Sequence, residues 1–137
     1  MNLVEKLLAI DKGIITKEEK KEIVSKEMTR LLGSDKPVKI TIKAIDGDTF
    51  TSLTAAGTDD SGNFEIDKAY DISAKIVAAG LVNPNLKDKD LQAHIGASDP
   101  ADAAKKIFKG ELTRIGTIIS ELSGFGDIDD EVEEIKN

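Results

Sequence analysis

The pattern that most constrains this chain lies near its C-terminal end, where Phe108, Leu112, Ile115, Ile119 and Leu122 step by four, three, four and three residues. That spacing sets them on one face of the last long helix, and Ile118 and Phe125 widen the face. An apolar stripe so wide must be covered, either by the chain's own core or by another chain. Gly116 sits inside it and costs about 1 kcal/mol of helix propensity relative to alanine. Close approach by a neighbouring element and tolerated drift both account for that glycine.

The other segments supply local start and stop signals. Asn2-Leu3-Val4-Glu5 places a capping residue three positions before a glutamate, with Leu3, Val4, Leu7 and Leu8 on one face, which predicts a short amphipathic helix stopped by Gly13. Thr16-Lys17-Glu18-Glu19 repeats the capping pattern ahead of Ile23, Val24, Met28, Leu31 and Leu32, so a second helix is expected before Gly33 and Pro37. Val38, Ile40, Ile42 and Ala44 alternate with Lys39, Thr41 and Lys43, the period of a half-buried strand. Its partner is residues 49–53 through an Asp46-Gly47 hairpin turn, residues 63–65, or another subunit. Thr58 to Asn63 is a cluster of turn formers and reads as an exposed loop.

Beyond it the signals are helical. Ile66, Tyr70, Ser73 and Val77 step by four, three and four, with Gly80 in the place of a C-cap glycine. Asp88 caps a helix carrying Leu91 and Ile95 and ending at Gly96, and Asp99-Pro100 opens the next. The expected fold is therefore α+β and predominantly helical. A helical arm over 1–35 precedes a single globular domain over 36–126, a C-terminal helical bundle with one small β element near 37–45. An acidic tail over 127–137 follows.

Composition removes whole classes of chemistry. With no cysteine and one histidine among 137 residues, disulfides, thiolate zinc sites, thiol nucleophiles and multi-histidine metal sites lack their ligands. The net charge is −7, opposite to what phosphate tracking or an anionic membrane surface requires. Six acidic residues against one lysine after Gly126 concentrate −5 of that charge in the tail. Such a tail reads as a solubilising appendage, although Ile128, Val132 and Ile135 would permit a helical turn against a partner. No run approaches the roughly 20 apolar residues of a membrane span, and Glu5 and Lys6 interrupt the apolar run a secretory leader needs. A cytoplasmic location is expected.

No constellation supports catalysis. Gly124-Phe125-Gly126 lacks the third glycine of a phosphate loop. Setting Gly62 at the sixth position of a calcium loop puts Gly57 first and Lys68 last, where oxygen ligands are required. His94 has no motif-placed partner and reads as a structural histidine. Neither an enzyme nor a cofactor is expected, and an interaction protein is.

The second half also resembles the XkdN-like tail assembly chaperones of tailed phages and prophages. Asn83-Pro84-Asn85-Leu86-Lys87-Asp88 is similar to that family's proline-acid-aromatic turn followed by Lys-Asp. Leu91 to Gly96 followed by Asp99-Pro100 resembles its next helix and cap. Lys109-Gly110-Glu111-Leu112, Glu121-Leu122-Ser123-Gly124-Phe125 and Glu134-Ile135-Lys136-Asn137 follow in the family's order. Upstream, Ile40 to Leu53 resembles its strand and acidic-glycine turn. Asn85-Leu86 and Lys109 depart from the usual residues.

The resemblance implies a non-virion assembly factor that binds the tape measure protein, keeps it soluble and helps recruit the tail tube protein, with self-association open. It also implies a mostly helical fold in which residues after Gly47 are helical, against the hairpin reading. Physically, such a chaperone must offer apolar surface to an uncovered helix while an acidic rim maintains solubility. Leu112, Ile115, Ile119, Leu122 and Phe125 are the expected partner-binding residues. The alternative is an acidic protein-binding module, either an inhibitor of a nucleic-acid-binding protein or a minor phage structural component.

Overall fold

Alternation along residues 39–43 organises the molecule, because a strand with one apolar face needs backbone partners beside it and a core beneath it. The computed structural model describes residues 2–63 and 65–125; the acidic tail expected over 127–137 lies outside them. In chain order the elements are α1 (Leu3–Leu8), α2 (Lys12–Ile15), β1 (Lys20–Val24), α3 (Lys26–Leu31), β2 (Lys39–Lys43) and α4 (Gly47–Ala55). A 3-10 turn at Ile66–Lys68 leads into α5 (Ala69–Gly80), β3 (Leu81–Asn83), α6 (Lys89–Ile95) and α7 (Pro100–Phe108). A second 3-10 turn at Lys109–Glu111 precedes α8 (Leu112–Leu122). The fold is the expected predominantly helical α+β, with one three-stranded antiparallel sheet in the order β1-β2-β3.

The strand expected near 37–45 is β2, but its partners are none of the three anticipated. Lys20 to Val24 pair with Lys43 to Lys39 on one side, and Leu81 and Asn83 pair with Ile42 and Thr41 on the other. Residues 49–53 form α4 instead of a hairpin strand. Asp46 caps that helix, its carboxylate accepting from the Thr49 amide at 2.7 Å and the Thr49 hydroxyl at 3.0 Å. A turn signal and a helix cap use the same residue types, and here the cap prevails.

The helix expected from Thr16 to Leu32 is broken in two. Residues 20–24 extend because β2 has an edge for them to pair with, and this non-local pairing overrides the helix propensity of Lys20-Lys21-Glu22. Ser25 is extended and caps α3 by accepting from the Met28 amide at 3.1 Å. Residues 20–31, expected as part of a helical arm, therefore belong to the sheet and its adjoining helix. Gly13 does not stop the first helix; α1 ends before it and Gly13 lies in the single turn of α2.

The core joins Ile40 and Ile42 of β2 to Ile72, Ile76 and Val77 of α5, Ile107 and Phe108 of α7, and Leu112, Ile115 and Ile119 of α8. Small residues set how closely the helices pack. Gly116 of α8 faces Ser73 of α5, whose Cα lies 3.6 Å from where a Cβ would stand. At Gly80 an added Cβ would fall 2.7 Å from Ile119 Cγ2 and 3.1 Å from the Lys43 carbonyl oxygen. Gly80 thus serves a close contact inside α5, whose C-cap is Leu81, and does not itself cap the helix. The expected stripe is only partly the buried face of α5: Val77 is buried, Tyr70 is half-exposed, and Ile66, 85% exposed, lies in the 3-10 turn before the helix. Phe108 ends α7; the chain breaks at Lys109, where φ is 51°, before α8 begins. Residues 58–63 form the expected exposed loop, in which the Asp59 carboxylate accepts from the Ser61 and Asn63 amides.

Candidate partner-binding surface

A protein that works by binding other chains needs accessible apolar surface, so the position of each expected contact residue decides what it can do. Leu112, Ile115 and Ile119 have no accessible surface, because α8 lies against α5 with its stripe turned inward. These three side chains build the core. Leu122 is half-buried and lines an open cleft of about 580 Å³ bounded by residues 16–19, 43–46, Thr49 and Ala79. Phe125 is 39% exposed and stacks on Phe50 of α4, ring centroids 4.0 Å apart and planes 6° from parallel. Only the C-terminal tip of the ridge, Leu122 and Phe125, is open to a partner in this conformation.

The tip is held by backbone ties. The Ser123 hydroxyl donates to the Ile119 carbonyl at 2.6 Å and accepts from the Ile45 amide at 2.8 Å, joining the end of α8 to the loop before α4. At the other end of α8, Glu111 joins distant parts of the chain. Its carboxylate accepts from the Ser25 hydroxyl at 2.5 Å, the Lys26 amide at 2.7 Å and Arg114 Nη2 at 3.2 Å. Arg114 Nη2 also donates to the Val24 carbonyl at 2.7 Å. The N-terminus of α3 is therefore capped twice, by its own Ser25 and by a carboxylate from 85 positions along the chain. No periodicity could have exposed that arrangement; a glutamate at the start of a helix carries no signal of where it reaches.

Among the described residues a longer run of exposed apolar side chains lies elsewhere. Leu3, Val4, Leu7 and Leu8 of α1, Ile10, and Ile14 and Ile15 of α2 are all exposed, Leu8 by 79%, and neither helix buries a residue. Sequence reasoning placed this helix but assigned it no contact. The available signal was an apolar face on a segment too short to pack by itself.

Several titratable groups are tied into ion pairs and helix caps. Asp71 bridges Lys105 at 2.8 Å and Lys75 at 3.0 Å, and the hydrogen bond from Lys105, then that from Lys75, holds its carboxyl below the usual carboxylate range. Lys105 is raised in turn by the same Asp71 contact. The Asp46 carboxyl is likewise lowered, first by the Thr49 amide and then by its hydroxyl. His94 is exposed on α6. Among the described residues no group of three histidine or carboxylate side chains is placed to hold a metal ion, and no helix is long and apolar enough to cross a membrane.

Comparison with known proteins agrees with this architecture. The crystal structure of the protein yqbn is similar, with a TM-score of 0.56 at 22% identity over 79% of this chain and 88% of that one, which is a likeness of fold. No match was found among curated proteins. The profile of a family described as phage XkdN-like tail assembly chaperone protein matches residues 4–136, close to the whole length of the sequence. This chain belongs to the XkdN-like phage tail assembly chaperone family.

Proposed function

We propose that this protein binds the tape measure protein of its phage or prophage, keeps it soluble in the bacterial cytoplasm, and promotes assembly of the tail tube around it. The observation that carries this reading is the family match across residues 4–136. Long helices that expose apolar stripes aggregate unless another apolar surface covers them, and burying that surface contributes about 25 cal/mol per Å² before ordering costs. In the described conformation the expected ridge offers Leu122 and Phe125 for such contact. Leu112, Ile115 and Ile119 reach a partner only if α8 leaves its place against α5. The proposed role is binding without catalysis; tail tube protein is the second partner, and the chaperone stays out of the finished virion.

Co-expression tests the reading. With the chain present, tape measure protein moves from the pellet to the soluble fraction and co-purifies with it. Phe125→Asp combined with Leu122→Asp reduces that recovery while leaving the chaperone folded by circular dichroism. Tape measure protein that partitions identically with and without the chain would overturn the proposal.

A further inference from the structure

We propose that residues 3–15 pair with the same segment of a second copy of this chain, as a short parallel two-helix clasp. Leu3, Leu7, Ile10 and Ile14 step by four, three and four, the spacing of a coiled-coil seam, and all four are exposed. A six-residue and a four-residue helix have too few backbone hydrogen bonds to persist alone in water, and a run of exposed apolar side chains marks an interaction surface. Pairing two such segments removes both defects.

Charge selects the occupant. Placing Leu3 and Ile10 at d and Leu7 and Ile14 at a puts Lys6 at g and Asp11 at e. In a parallel pair each g residue faces the e residue five positions on in its partner. Lys6 of one copy then meets Asp11 of the other, and symmetry repeats the contact. An antiparallel pair over the same four side chains sets Lys6 against Gly13 and Asp11 against Val4, so the opposite charges do not meet. A second copy therefore carries the complementary charge at the required position, whereas an unrelated apolar helix matches the seam alone.

The break between α1 and α2 fits this assignment. Asp11 is extended, with ψ of 135°, and its carboxylate accepts from the Gly13 amide at 3.2 Å. On pairing, Asp11 exchanges that cap for the cross-chain contact with Lys6, and residues 3–15 become one helix. Gly13 falls at g, off the seam, so the seam keeps its four apolar side chains. Two heptads make a weak clasp, with association expected in the micromolar range or above.

Sedimentation equilibrium of the full chain, from micromolar to sub-millimolar concentration, tests this. A reversible monomer–dimer equilibrium is expected. Leu7→Asp leaves only monomer; Lys6→Glu weakens dimerisation about tenfold, and adding Asp11→Lys in the same chain restores it. Melting curves of all these variants match the parent, because the altered side chains are exposed. A parent chain that stays monomeric throughout overturns the proposal. So does a dimer indifferent to Leu7→Asp, which would place the interface on another surface or on residues 126–137. A double variant that fails to recover overturns the parallel register.

Discussion

α1 and α8 carry the same kind of apolar spacing and meet opposite fates. Leu112, Ile115 and Ile119 are sealed in the core, while Leu3, Leu7 and their neighbours stay in solvent. The difference lies in what faces each helix. α8 has eleven residues, a glycine that lets it approach Ser73, and a bay at Gly80 that receives Ile119. α1 has six residues, and against the described residues it buries none of them. Apolar periodicity states that a helix needs cover; small residues at facing positions state whether its own chain supplies it.

The contrast breaks most sharply under identical substitutions. Ile119→Asp places an unpaired carboxylate in the core and costs about 4 kcal/mol or more, whereas Leu7→Asp changes stability by less than about 0.5 kcal/mol. Urea denaturation of the two variants beside the parent measures both. Equal losses would erase the distinction between the regions.

A smaller effect is expected at the tie between the halves. Glu111→Ala leaves the Ser25 hydroxyl, the Lys26 amide and Arg114 without their shared acceptor, at a cost of about 2–3 kcal/mol. Amide hydrogen exchange should show α3 losing protection first while the center of α8 keeps it.

The two glycines of the α5–α8 contact sharpen the comparison by sign. Gly80→Ala drives a Cβ into Ile119 and the Lys43 carbonyl and destabilises by about 1–3 kcal/mol. Gly116→Ala meets Ser73 at ordinary contact distance and stabilises by about 0.5–1 kcal/mol, because alanine restricts the unfolded chain and favours the helix. Thermal melts of the pair decide it; a shift in the same direction for both would show that helix spacing does not govern the site.

The smallest effect concerns the exposed cap of α4. The Asp46 carboxyl is lowered from its usual value near 3.8, so its contribution is fully present above that value and is lost as pH falls through the lowered one. Asp46→Asn, which keeps a capping oxygen but does not titrate, should flatten the acid dependence of α4 amide shifts followed by NMR. An unchanged acid profile would assign it to another carboxylate.

Local signals were legible because they act within a few residues. Asn2, Asp88 and Asp99 each cap the helix start where they were placed, and Gly96 ends α6 at φ 73°. What the sequence withheld depends on distant partners. Residues 20–24 carry helix-forming lysines and a glutamate, yet extend because β2 lies beside them. The partners of β2 lie 15–23 residues before it and 39–42 after it, and neither separation leaves a periodic trace. The five-residue ridge was visible as a face, but burial divided it into three core residues and an accessible tip, a division made by α5 and β2 rather than by the ridge itself.

Hydrogen exchange of the chain with and without tape measure protein, its proposed partner, tests the division of labour most directly. Peptides covering residues 112–119 should exchange as in the free chain, while those covering Leu122 to Phe125 and α4 become slower. Faster exchange through residues 112–119, or no change at the tip, would mean that the core helix itself opens to the partner or that contact lies elsewhere, and the account would fail.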